Sequence, residues 1–263
     1  MYLDHFRLKS QPFSEHAAAT ALWQEPRMDQ GLDRLEYLVQ CGQLGLITGQ
    51  SGVGKSALLK RFFHGLMPQR CEAVYCHLTH LSSASLLKMV VTRLGETPRR
   101  GKERTYEQIL QRATQTDGTL LLVFDEAHLL DNDALTDLRL LISSALNDRP
   151  PLKILLAGQE PLLSMLRHTQ HAALVNRISV RYQLRPLDRE QTCRYIDFQL
   201  TQAGGDPKVI DDSVKATIHD FANGVPRLIN NLATACLLQA AARNVQRIDD
   251  DLFQQVAAEF QLP

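Results

Sequence analysis

Gly49-Gln50-Ser51-Gly52-Val53-Gly54-Lys55-Ser56, followed by Ala57, is the stretch that decides how this chain is read. Its spacing is GxxxxGK[ST]. The apolar run Gln43 to Thr48 before it predicts a strand, and Lys55 to Leu66 after it predicts a helix. Strand, glycine-rich turn and helix in that order make a phosphate-binding loop, the Walker A pattern. Glycines let backbone N–H groups turn inward around phosphates. The helix N-terminus adds about half a positive charge at the same place. Lys55 is expected to reach the β- and γ-phosphates, and the Ser56 hydroxyl to bind Mg²⁺. Residues Gly49 through Ala57 are therefore the candidate cofactor-binding set.

A second stretch completes this site. Leu121-Leu122-Val123-Phe124 is a core strand that ends in Asp125-Glu126. Two acids at the end of a buried strand are costly unless they face a cation or solvent. Asp125 suits Mg²⁺ coordination and Glu126 suits polarising an attacking water. With Ala127 and His128 the string reads DEAH. A helicase of that kind needs two motor domains and more chain than this. His128 is expected to be a local hydrogen-bonding residue, not a catalyst.

Working outward, apolar runs alternate with helical stretches. Strands are predicted at 43–48, 73–78, 120–124, 153–157 and 178–184. Helices are predicted at 55–66, 83–94, 106–114, 132–146 and 160–167. Strands that are apolar on both faces, separated by helices, imply an α/β parallel sheet covered on both sides. After Pro186 the strand pattern stops. Helices are expected from Asp188 to about Ala203, at 211–222, at 226–243 and at 250–260. The expected organisation is a P-loop core over 1–186 and a small all-helical lid over 187–263.

Composition narrows the classes further. The chain has 263 residues with 29 Lys plus Arg against 29 Asp plus Glu. Its longest apolar stretches run to about five residues, as at 120–124, where a membrane span needs roughly 20. No basic and then apolar N-terminal segment suggests a signal peptide. Five cysteines with no CxxC pair read as buried thiols of a reducing cytoplasm. The zero charge conceals an asymmetry. Residues 186–263 hold 7 basic against 11 acidic side chains, a net −4, so residues 1–185 carry +4. Within the latter, Arg93, Arg99, Arg100, Lys102 and Arg104 face only Glu96 and Glu103, a local +3. Leu94 to Gly101 reads as a loop. This cluster is either a DNA-contacting patch or a solvated charge run.

The phosphate loop and the Asp125-Glu126 strand end together resemble the AAA+ ATPases. The resemblance implies ATP and Mg²⁺ as cofactors, and ATP hydrolysis as the reaction. Leu155-Leu156-Ala157-Gly158-Gln159 is similar to the strand that ends in sensor 1, which makes Gln159 the candidate. Leu174-Val175-Asn176-Arg177-Ile178 is similar to the arginine-finger position. Arg177 is the first choice there and Arg181 the reserve. Gly224-Val225-Pro226-Arg227 is similar to sensor 2, with proline at the first helical position and Arg227 following.

The resemblance extends over nearly the whole chain to the ExeA-like group. It is carried by Met1-Tyr2, His5-Phe6-Arg7-Leu8, Pro12-Phe13-Ser14, Gly45 to Gly49, Val180 to Leu187, and Pro226 to Leu232. It implies that Phe6, Pro12 and Phe13 form a wall beside the adenine; an apolar cluster packing on the core fits them equally. The group includes a secretion-assembly ATPase and the transposon helper ATPases of the TnsC and TniB type. The compact length favours the helpers. The implied function is an ATPase that oligomerises as a hexameric ring or helical filament and binds duplex DNA without sequence preference. It would regulate transposition with a transposase and a targeting protein, in the cytoplasm and without membrane insertion. The alternatives are an ATPase assisting assembly of a secretion or pilus complex without DNA, and a nucleotide-binding scaffold with little turnover. A P-loop small-molecule kinase has no use for Arg177 or the Pro226-Arg227 helix.

Overall fold

The computed structural model describes residues 2–14, 17–143 and 152–260. A single helical turn, α1 (Tyr2–His5), opens the chain. Then follow α2 (Pro26–Gln40), β1 (Leu44–Thr48), α3 (Lys55–Gly65), β2 (Cys71–His77), α4 (Ser83–Arg93), α5 (Lys102–Gln115) and β3 (Thr119–Asp125). After these come α6 (Asn132–Ser143), β4 (Leu152–Gly158), α7 (Glu160–Leu166), α8 (Ala172–Val175) and β5 (Ile178–Gln183). Four helices close the chain: α9 (Arg189–Gln202), α10 (Asp212–Ala222), α11 (Pro226–Ala242) and α12 (Asp250–Phe260). Two compact units result. One holds Pro26–Ser51 and Lys55–Leu184. The other holds the residues up to Glu25, the short turn Gly52–Gly54, and the residues from Arg185 on.

The sheet unit is the parallel α/β core that the sequence predicts. Its five strands run in the order β2-β3-β4-β1-β5, and every pairing is parallel. Parallel strands require crossovers, and the intervening helices cover the sheet. Leu120 to Asp125 are all buried, as are Leu44 to Thr48. Because β1 and β3 both flank β4, the turns leaving their carboxyl ends emerge on the same edge of the sheet. Open α/β sheets place their ligand sites there.

Several helices differ from expectation. Helix α2 was not anticipated. It buries Met28, Leu35 and Leu38 with Gly31 between them, where an added Cβ would stand 2.8 Å from a methyl of Leu58. Helix α5 starts four residues earlier than expected, at Lys102. The Thr105 hydroxyl bonds the carbonyls of Arg99 and Gly101 there, and Lys102 pairs with Asp137 at 2.8 Å. The end of the helix expected to reach 146 lies outside the described residues, as do Met1 and residues 261–263 at the ends of the two expected domains.

Among the cysteines, Cys71, Cys76 and Cys236 are buried thiols. Burial pushes Cys71 and Cys76 up to about 11 and Cys236 up to about 12. Cys41 is exposed and Cys193 only half-buried, so the expectation of five buried thiols fails at these two.

In the helical unit, α9 starts on a capping box. The Asp188 carboxylate accepts the Gln191 N–H at 2.7 Å, and the Gln191 side chain accepts the Asp188 N–H at 2.9 Å. The core joins Leu187, Ile196, Leu200, Ile218, Leu232 and Phe253. Tyr2, Phe6, Leu8 and Phe13 belong to the same core. This corrects the expected packing of the N-terminal segment. Phe6 and Phe13, each 7% exposed, belong to the core of the helical unit. Their large apolar area completes a core that four helices alone leave open.

One glycine in this unit is fixed by space and by backbone. Gly224 has φ +69°, its carbonyl accepts the Leu187 N–H at 2.8 Å, and a Cβ there would lie 1.9 Å from the Leu187 carbonyl oxygen. Gly224→Ala is expected to destabilise the helical unit by on the order of 2–4 kcal/mol, measured by urea unfolding. A loss below about 0.5 kcal/mol would mean that the turn relaxes freely.

Candidate functional site

The phosphate loop leaves β1 and enters α3. Gly52 and Gly54 take φ values of +76° and +110°. Lys55 is 5% exposed, and its Nζ donates to the carbonyls of Gly49 at 2.9 Å and Gln50 at 3.1 Å. Burial of an ammonium group requires such acceptors. The lysine is thus held across the loop. Ser56 is exposed at the start of α3, Ala57 follows half-buried, and Val53 is fully buried.

Asp125 ends β3 at 1% exposure. Its Oδ2 accepts from the Tyr75 hydroxyl at 2.7 Å and from Ser56 Oγ at 3.4 Å, and His77 Nδ1 lies 3.9 Å away. Its Oδ1 accepts the Glu126 N–H at 2.9 Å. Burial raises the Tyr75 pKa, and the hydrogen bond to Asp125 and the negative charge of both acids raise it further. The hydroxyl therefore stays a donor. Tyr75 and His77 were not among the expected site residues. Parallel register is the signal that finds them: β2 pairs with β3 so that His77 stands opposite Asp125 and Tyr75 opposite Val123.

Glu126 leaves the strand in the left-handed region, at φ 58° and ψ 36°. For a residue other than glycine this costs of order 1–3 kcal/mol and persists where surroundings hold it. Here the Gln159 side-chain Nε2 donates to Glu126 Oε2 at 3.2 Å. Gln159 sits at the end of β4, one residue before α7. Neighbouring strand ends thus bring together the candidate base and the candidate sensor. His128, in the 3₁₀ turn Ala127–Leu129, joins them, with Nδ1 3.4 Å from Glu126 Oε2.

The arginines fall in different places. Arg177 lies between α8 and β5, half-buried, and its guanidinium donates to the Ala173 carbonyl at 2.9 Å. Arg181 is exposed on β5 and lines a cavity of about 420 Å³ with Leu163, Leu166 and Val175. In the helical unit Arg227 is exposed near the start of α11, and its N–H donates to the Gly52 carbonyl at 3.2 Å. The turn Gly52–Gly54 groups with this unit.

Arg93, Arg99, Arg100, Lys102 and Arg104 are all exposed. Arg93 ends α4, Arg99 and Arg100 lie in the connection to α5, and Lys102 and Arg104 lie on α5. Lys102 is bound to Asp137, and the Arg99 guanidinium reaches Gln111 at 3.4 Å.

The donor set fits a magnesium nucleotide. Ser56 and Asp125 offer a hydroxyl and a carboxylate oxygen that already approach each other. Hard oxygen donors of this kind suit Mg²⁺, which uses one or two protein ligands together with phosphates. No group of three His, Cys, Asp or Glu side chains forms a separate metal cage among the described residues.

Comparisons with known proteins bear on the fold. Residues 40–166 match the family model of the AAA domain. Over 255 residues the chain is 29% identical to General secretion pathway protein A of Aeromonas hydrophila. That match covers 94% of this chain and 46% of the relative, so the chain spans about half the relative's length. Among solved structures, Cdc6p from Pyrobaculum aerophilum superposes with a TM-score of 0.74 at 17% identity, covering 94% of this chain and 70% of that one. The ORC1 protein of Aeropyrum pernix, solved in complex with DNA, gives 0.71 at 16% identity, covering 97% and 70%. At these identities the likeness is one of fold. It is the AAA+ fold, a parallel five-stranded sheet with a helical C-terminal region. No helix among the described residues is long and apolar enough to cross a membrane.

Proposed function

We propose that this chain is an AAA+ ATPase that oligomerises with ATP and, in that state, grips duplex DNA. The single observation that carries the reading is the chain of hydrogen bonds from Ser56, at the start of α3, to Asp125 and on through Glu126 to Gln159 at the ends of β3 and β4. Lys55 and the loop N–H groups would bind the phosphates, and Ser56 and Asp125 would hold Mg²⁺. When bound, Mg²⁺ neutralises charge on the β- and γ-oxygens. Tyr75 keeps the Asp125 carboxylate oriented. Glu126 orients the attacking water and takes its proton, and Gln159, which fixes Glu126, is the proposed γ-phosphate sensor. Arg177 would complete the site of a neighbouring copy, and Arg227 is the sensor 2 candidate that the AAA+ resemblance implies.

The exposed cluster around Arg99 and Arg100 supports the DNA part of the reading. A few phosphate contacts per subunit, repeated around an oligomer, suffice for salt-sensitive binding without sequence preference. A DNA-bound ORC1 structure of the same fold supports it also. The partners would be a transposase and a targeting protein, as the ExeA-like resemblance implies. The test is assembly on duplex DNA with a slowly hydrolysed ATP analogue, imaged by negative stain at low salt. Oligomers that need both nucleotide and DNA are expected, and their absence would overturn the proposal. Replacing both Arg99 and Arg100 by Ala is expected to weaken binding uniformly across sequences. It should also lower the salt slope by about 1 for each phosphate contact removed.

A second reading is favoured by the 29% identity to General secretion pathway protein A. In it the same ATPase assists assembly of a secretion complex. It predicts ATP hydrolysis that is indifferent to DNA, so the same assay separates the two.

A further inference from the structure

The turn after β3 carries one side chain that the proposed reaction leaves unused. The His128 side chain is 15% exposed, and its Nδ1 meets two groups. The Gln159 backbone N–H donates to it at 3.5 Å, and Glu126 Oε2 lies 3.4 Å away. Gln159 is therefore tied twice, by its backbone to His128 and by its side chain to Glu126. The two segments approach closely at this point. A Cβ on Gly158 would stand 3.2 Å from the His128 backbone nitrogen and 3.0 Å from a Leu162 methyl.

One ring nitrogen cannot play both parts. To accept the Gln159 N–H it needs its lone pair, and to donate to Glu126 it needs a proton. The N–H of Gln159 points at Nδ1, which makes Nδ1 the acceptor and leaves the ring proton on Nε2. The lone pair then faces the Glu126 carboxylate with no proton between them. In that tautomer the hydrogen bond to Glu126 comes from the Gln159 side-chain amide.

We infer that His128 is a positioning residue for Glu126, acting through Gln159. Its Nδ1 fixes the backbone of Gln159, and this aims the side-chain amide at Glu126. The inference rests on the reading of Glu126 as the base of an ATPase, but the contact itself can be tested apart from that reading.

Two variants and a spectrum decide it. His128→Ala is expected to lower kcat by about 10- to 100-fold with KM and nucleotide affinity unchanged. His128→Asn, whose amide oxygen can accept the same N–H, is expected to recover most of the loss. Ring ¹⁵N shifts of His128 should show a bare Nδ1 and a protonated Nε2, and exchange of the Gln159 amide should quicken at least about tenfold in His128→Ala. A protonated Nδ1 in the neutral ring, or unchanged Gln159 exchange, would overturn the contact. A wild-type kcat in His128→Ala, a loss confined to KM, or an equal loss in both variants would overturn the positioning role. An inactive wild-type protein would instead sink the ATPase reading and with it the role assigned to Glu126. The shifts and exchange rates would still decide the contact.

Discussion

Glu126→Gln is expected to leave ATP affinity within about twofold of the wild type while lowering turnover by roughly 10²–10⁴. The substitution keeps the volume and an oxygen that can still accept from Gln159 Nε2, now at 3.2 Å. What it removes is the capacity to take a proton. Affinity is expected to stay because the proposed phosphate contacts belong to other residues, namely Lys55 and the loop N–H groups. The left-handed backbone at position 126 has no feature that separates Glu from Gln. ATP affinity by calorimetry and phosphate release over several hours check the two halves separately. Turnover within a few-fold of the wild type would show that the proton goes elsewhere. A matching loss of affinity would show that Glu126 helps to bind nucleotide.

How much of this was legible before the structure differs from element to element, for physical reasons. Strands β1, β3 and β4 could be read because each is buried on both faces and so appears as a continuous apolar run, with β3 the clearest case, whereas β2 and β5 are partly exposed and could be read from their β-branched and aromatic residues. Asp188 announced the start of α9, because an N-cap depends on local sequence alone, and the structure adds Gln191 as its capping-box partner. Helix α2 escaped because a glycine stands in its apolar stripe. Gly31 earns that place by letting Leu58 and Tyr182 approach, a tertiary fact that no window of sequence contains. The N-terminal phenylalanines were assigned to the wrong unit for a related reason. Apolarity shows that a side chain is buried but not which core receives it, and here roughly 180 residues separate Phe6 and Phe13 from Leu187 and Tyr195. The candidate site divides in the same way. Lys55, Ser56, Asp125 and Glu126 lie in two contiguous motifs whose spacing shows them. Tyr75 and His128 gain meaning only from parallel register and from the approach of neighbouring strand ends.

Arg177→Ala is expected to lower turnover by roughly 10³-fold, with ATP affinity little changed, because the arginine is proposed to act on a neighbour's nucleotide. The guanidinium is half-buried and donates to the Ala173 carbonyl within its own chain. Reaching a neighbour would exchange that one neutral hydrogen bond for charge-assisted bonds to phosphate, which are stronger. A mixing experiment separates this from a defect within one subunit. Each site in a ring or filament is built from two unlike surfaces, one that holds nucleotide and one that supplies the arginine. Arg177→Ala keeps the first and Glu126→Gln keeps the second. Combined in equal amounts with random assembly, they form intact sites at about one junction in four. The mixture should therefore regain about a quarter of wild-type turnover, although each parent is nearly inactive. Recovery that appears with Arg181→Ala in place of Arg177→Ala would move the finger four residues along the chain, to the arginine of the 420 Å³ cavity. Turnover equal to the sum of the two parents would place the arginine's action inside its own subunit and remove the reason for ATP-dependent assembly to control hydrolysis.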